Sequence, residues 1–115
     1  MKENNLILDE SYAFALEVMR LARKMREFKE FDLASQFWSA GTSIGANVEE
    51  AQAAQSRADF RSKMSIASKE ARESLYWLRL TRDGKALPLS EVNPAIEHIE
   101  KIIRILTSIV KSSND

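Results

Sequence analysis

The stretch GTSIGANVEEAQAAQS, Gly41–Ser56, decides how the chain is read. It holds two of the chain's three glycines, beside Thr42, Ser43 and Asn47, and then the adjacent carboxylates Glu49 and Glu50. It could be a phosphate-cradling loop, a linker, or a helix with unusually small side chains. A Walker loop needs a lysine after its second glycine and a strand before its first, and a dinucleotide loop needs a third glycine. Neither pattern is present, and both flanks repeat apolar groups at helical intervals. As a helix, the stretch places Gly41 and Gly45 on one face with Thr42 and Ala46 alongside. Each interior glycine then costs about 1 kcal/mol relative to alanine. That cost makes sense where a neighbouring helix, or a large group such as Trp77, comes close to the backbone. Ser43, Asn47 and Glu50 stand at i, i+4 and i+7 on one further face. They form either a solvated stripe or a polar network with Glu70, Arg72 and Glu73.

Outward from this stretch, four segments carry apolar groups at intervals of three and four, and strand-like alternation is nearly absent. The first is expected over about 9–29, with Tyr12, Leu16, Met19, Ala22 or Arg23, and Met25 or Arg26 as its stripe and Asp9 or Ser11 as its cap. The second, over about 32–55, carries Leu33, Phe37, Ile44 and Val48. Ser56-Arg57-Ala58-Asp59 has capping-box spacing with Asp in place of Glu, so one helix stops there and another starts. The third, over about 57–82, carries Phe60, Met64, Ala67, Ala71, Leu75 and Leu78. Gly84 breaks it, able to take the left-handed conformation at a helix end. The fourth, over about 91–111, carries Ile96, Ile99, Ile103, Leu106 and Val110, widened by Ile102, Ile105 and Ile109. Pro94 suits its first turn, with Ser90 or Asn93 as cap. Short connections between four helices predict one all-α domain, an antiparallel up-down-up-down bundle.

The 115 residues are enough for one domain with a core of its own. Zero cysteine excludes disulfides, thiolate metal sites and cysteine nucleophiles. Seventeen basic and seventeen acidic residues leave no global field to draw in nucleic acid or an anionic membrane. MKENNLILDE has charges and amides where a secretory signal needs an apolar run, and no stretch approaches a membrane span. A cytoplasmic protein is the expectation. Large groups outside the stripes (Trp38, Tyr76, Trp77) and the broad apolar surface of the fourth helix exceed what a monomer must bury. They point to a homo-oligomer.

Catalytic constellations are missing. A di-iron bundle needs two Glu-x-x-His motifs, and here the one histidine, His98, follows Ala95 by three residues. No nucleophile elbow occurs, so neither a metal, a cofactor nor an enzymatic role is expected. Charge, in contrast, is locally uneven. Arg20, Arg23, Lys24, Arg26 and Lys29 crowd the end of the first helix, against Glu27 and Glu30, and are the candidate polyanion contacts. In a ring of subunits such a local excess is repeated into a basic surface.

The string Ser43-Ile44-Gly45-Ala46-Asn47-Val48-Glu49-Glu50-Ala51 belongs to a longer pattern. With Phe60, Met64, Ile66-Ala67, Glu70, Glu73-Ser74 and Tyr76-Trp77-Leu78, it resembles the bacterial four-helix-bundle family of ribosomal-RNA intervening-sequence proteins. Members are sometimes labelled ribosomal proteins. The family is similar to the accessory variability protein of diversity-generating retroelements, a barrel-shaped homopentamer that binds nucleic acid and a reverse transcriptase. The resemblance implies a homopentameric, non-enzymatic scaffold whose partners are RNA or an RNA-associated protein. It also gives Ser43, Asn47, Glu50 and Glu73 structural motif positions between the second and third helices. The retroelement relative is strongly basic and this chain is neutral, which weighs against extensive backbone contact. The alternative is a protein–protein adaptor without nucleic-acid contact.

Overall fold

The computed structural model describes residues 2–113, with side chains from residue 5. Four helices follow one another: α1 (Lys2–Glu27), α2 (Phe31–Gln52), α3 (Arg57–Asp83) and α4 (Leu89–Ser112). Each packs against two neighbours, α1 on α2 and α4, and α3 on α2 and α4, with no diagonal contact among the described residues. The body measures 44 × 20 × 18 Å. Connections of three to five residues cannot span the long axis, so consecutive helices run antiparallel. This is the expected up-down-up-down bundle.

The core runs the length of the bundle. Phe14 meets Phe37 edge to face, with ring centroids 6.3 Å apart. Ile7, Val18, Leu21 and Met25 from α1 join Ile44, Val48, Met64, Leu78, Ile99, Ile102 and Leu106, all fully buried. The stripe expected on α1 is therefore half wrong. Ala22 and Met25 are buried, but Tyr12 and Leu16 are 66% and 53% exposed. The helix carries two apolar stripes of equal helical spacing, and packing uses the one through Ile7, Phe14, Val18 and Met25. On α4 the same ambiguity places Ile102 and Ile109 in the core and leaves Ile103 and Val110 at its margin.

Three expected helix boundaries also need correction. α1 begins at Lys2, so neither Asp9 nor Ser11 caps it. Ser11 is buried and donates to the Leu8 carbonyl. α2 ends at Gln52 rather than near residue 55. α4 begins at Leu89, two residues before the expected start. The Pro88 carbonyl accepts from Glu91 and Val92 N–H where a Ser90 or Asn93 side chain was expected to cap. Pro94 lies inside that helix, where its missing N–H leaves the Ser90 carbonyl without its usual donor. The break at Ser56 is as expected. Its hydroxyl accepts from Asp59 N–H at 3.0 Å, while the Asp59 carboxylate accepts from Gln55 N–H.

Two turns at the same end of the bundle share one construction. After α1, Glu30 N–H reaches the Met25 carbonyl and Lys29 N–H the Arg26 carbonyl. After α3, Ala86 N–H reaches Thr81 and Lys85 N–H reaches Arg82. Both are Schellman closures, with the left-handed position held by a lysine: Lys29 at φ 64° and Lys85 at φ 58°. Gly84 was expected in that conformation, but it stays right-handed at φ −81°. The closing pair of hydrogen bonds selects the following residue.

Candidate nucleic-acid interface

The five cations expected to act together are separated by the helix that carries them. Successive residues of α1 turn by about 100°, so Arg20 and Lys24 face α4 while Arg26 faces α2. Arg20 meets Glu17 at 2.6 Å and Glu91 at 2.7 Å, and Lys24 lies 3.7 Å from Glu91. Those hydrogen bonds, Glu17's first, hold the Arg20 guanidinium more firmly charged than usual. The bond from Arg20 in turn keeps the Glu91 carboxyl below the ordinary carboxylate range. These two cations are thus neutralised by the fold. Arg23 and Lys29 are exposed and make no ion pair among the described residues. Lys29 belongs to the α1–α2 turn rather than to the helix.

Arg26 takes a different partner. Its guanidinium carbon lies 5.5 Å from the ring centroid of Trp38 on α2, a cation–π contact with no carboxylate attached. Together with Ser35 and Ser39, these two side chains line an open cleft of about 440 Å³. The indole N–H of Trp38 has no acceptor among the described residues. Trp77 behaves otherwise. Its N–H donates to Glu73 at 3.2 Å and its ring meets Tyr76 at 5.1 Å. Sequence reasoning marked both tryptophans as surplus to the stripes and missed the pairing of Trp38 with Arg26. The surplus itself was the available signal, since one element's spacing says nothing of what a neighbouring helix brings.

The motif residues bond mostly within their own helices. Ser43 donates to the Ser39 carbonyl and Asn47 to the Ser43 carbonyl, both within α2. Glu50 reaches α3 through Lys63 at 3.0 Å. Glu73 serves Trp77, and Arg72 reaches Thr107 on α4. Gly41 meets Val18 of α1 and Gly45 meets Ser11 of α1, so the neighbour the glycines face is α1 and not Trp77.

Two further features bear on function. At the end that holds both Schellman turns, Phe28, Leu87, Pro88 and Leu89 line an open cleft of about 940 Å³ with Arg82, Asp83, Lys85 and Ala86. On the α1–α4 seam, His98 Nε2 and Glu10 Oε1 are 2.8 Å apart, Lys101 donates to the same carboxylate at 3.2 Å, and the Phe14 ring meets the imidazole edge-on. Burial pushes the Glu10 carboxyl up, but the bonds from Lys101 and His98 outweigh it and hold it below the ordinary range. Glu70 moves the opposite way, raised first by burial and then by the neighbouring charge of Glu73. No group of three metal-ligating side chains occurs among the described residues. No described helix is long and apolar enough to cross a membrane.

Comparison with known proteins agrees with this architecture. The family model described as 23S rRNA-intervening sequence protein matches residues 3–108. A crystal structure from Bacteroides thetaiotaomicron VPI-5482, described as a protein with unknown function from the S23 ribosomal protein family, superposes with a TM-score of 0.91. It is 39% identical, over 95% of this chain and 98% of its own. The curated proteins give no match. The chain belongs to the 23S rRNA-intervening sequence protein family.

Proposed function

We propose that the protein is a non-enzymatic, cytoplasmic scaffold that assembles as a homo-oligomer, a pentamer in the first instance. It would present the cationic ends of its α1 helices to RNA or to an RNA-associated partner. The observation that carries this reading is a pair of exposed apolar faces on helices that do not touch. Tyr12 and Leu16 stand out from α1, and Ile66, Tyr76 and Leu80 from α3, each at least 37% exposed. The helices lie diagonally in the bundle, so the faces point away from each other. Two different patches on opposite sides favour head-to-tail contacts, which close into a ring when the rotation permits. Each added copy then repeats Arg23, Arg26 and Lys29 around the assembly. Light scattering on the full chain is expected to give a multiple of 13.1 kDa. A monomer throughout the working concentration range overturns the assembly.

For the RNA contact, anisotropy of a labelled single strand is expected to show binding that weakens steeply with salt. Replacing Arg23, Arg26 and Lys29 by alanine lowers the slope of log affinity against log salt by roughly two to three. The apolar end cleft around Phe28 and Leu89, in a chain of zero net charge, favours the second reading, a protein–protein adaptor. An absence of RNA binding at low salt selects that adaptor.

A further inference from the structure

Resting on the RNA reading above, we infer that the cleft lined by Arg26 and Trp38 is a stacking site for one unpaired base of an RNA strand. The site therefore distinguishes single-stranded RNA from duplex.

The first support is the pattern of satisfied and unsatisfied groups. Trp77 has its N–H bonded to Glu73 and its ring against Tyr76, as an indole in a folded helix pair ordinarily does. Trp38 has neither an acceptor nor a second aromatic ring. Among the described residues its ring meets the core and the Arg26 guanidinium, while its backbone carbonyl accepts from the Thr42 hydroxyl. Around it stand the Ser35 and Ser39 hydroxyls, both exposed. The lining thus presents an indole, a planar cation, two hydroxyls and an indole N–H, with no carboxylate among them.

The second support is what such a set recognises. An indole face and a guanidinium plane are the two protein surfaces on which unstacked bases lie. Hydroxyls and N–H groups donate to phosphate and base oxygens. The cleft of about 440 Å³ has room for a single nucleotide. A base inside a double helix has both faces covered by its neighbours, so it cannot enter without being unstacked. Arg23, one turn before Arg26 on α1 and exposed, and Lys29 just beyond it supply cations for the flanking phosphates. Asp32, one turn before Ser35 on α2, limits how far that positive surface extends.

The test uses three probes of roughly equal length, about 12 nucleotides, within the range that single-strand binders occupy. They are single-stranded oligo(A), the same backbone carrying abasic sugars, and a duplex. Trp38 fluorescence is read in a Trp77→Phe background, where it is the remaining indole. Oligo(A) is expected to quench that fluorescence and to bind about tenfold more tightly than the abasic strand, the effect of one stacked base. In the otherwise native chain, Trp38→Leu brings oligo(A) down to the abasic level and leaves both the abasic affinity and the oligomer size unchanged. Trp38→Phe recovers part of the difference. Equal affinity for oligo(A) and the abasic strand overturns the stacking site while leaving the polyanion contact standing. Equal affinity for oligo(A) and duplex does the same, as does adenosine monophosphate quenching as tightly as the strand. Failure of every RNA to bind removes both readings together.

Discussion

Gly41 lies against Val18 so closely that a methyl group on its α-carbon would overlap both γ-carbons of the valine. Val18 is fully buried and β-branched, so it has little freedom to move aside. Gly45, one turn on, is different: an added Cβ there would sit 3.5 Å from Ser11, an ordinary contact. The two glycines should therefore respond with opposite sign. Gly41→Ala gains about 1 kcal/mol of helix propensity and loses about 1–3 kcal/mol to overpacking, for a net loss. Gly45→Ala keeps the gain, up to about 1 kcal/mol. Urea denaturation of the two variants checks this, and Val18→Ala should lessen the loss at Gly41. Stabilisation by both alanines would show that α1 can retreat.

Lys29 and Lys85 hold left-handed conformations that a side chain disfavours by about 1–2 kcal/mol. Glycine removes that penalty and restores some unfolded-state freedom. Lys29→Gly and Lys85→Gly should each raise stability by about 0.5–1 kcal/mol. The thermal midpoint reports it. Lys29→Gly should at the same time weaken RNA binding, which separates the turn's conformational role from the charge.

Glu91 holds two of the five candidate cations, Arg20 and Lys24, which bears directly on RNA affinity. Glu91→Gln releases Arg20 and Lys24 from it. The expected outcome is tighter RNA binding at low salt and a salt slope steeper by roughly one to two. An unchanged slope would place the α4-facing side of α1 outside the RNA path.

Glu10 ties α4 to α1 through His98 and Lys101. Its carboxyl lies below the ordinary value of 4.5, so its contribution is fully present above that pH. The contribution is lost as pH falls through the lower folded-state value. Glu10→Gln should cost about 0.5–1 kcal/mol at neutral pH, and the difference should close as pH falls through the carboxyl's lowered folded-state value. Chemical denaturation at a series of pH values reads both. A difference that persists in acid would mean the carboxylate's charge is not what matters.

Tyr76 and Leu16 lie on the two apolar faces offered for assembly. A charge on either, Tyr76→Arg or Leu16→Arg, should leave the helical content intact and reduce the assembly to 13.1 kDa subunits in light scattering. A mixture of the two variants restores no ring, because each still lacks one partner face for a full circuit. Persistence of the native size with both charges present would move the interface elsewhere.

The helices, their number and the break at Ser56 were legible because each depends on groups a few residues apart. Periodic apolar spacing and a hydroxyl capping the next turn are local properties. α1 shows where that stops. Its sequence contains two equally spaced stripes, and nothing within one helix says which is buried. The candidate site divides in the same way. The residue types Arg20, Arg23, Lys24, Arg26 and Lys29 were readable as a cationic run. Glu91, 71 residues from Arg20, and Trp38 on the adjoining helix were not readable as their partners.

By itself the sequence determined a four-helix chain, its family, and the small face of α2 that lets another helix approach. Tertiary structure alone decided that α1 is that helix and that Val18 fills the gap at Gly41. It also decided which cations are neutralised and which indole is left with an unpaired donor. The reason is physical. Backbone and capping hydrogen bonds close within a turn and are written in adjacent residues. Ion pairs, cation–π contacts and the choice between two apolar stripes depend on which surface a separate helix presents.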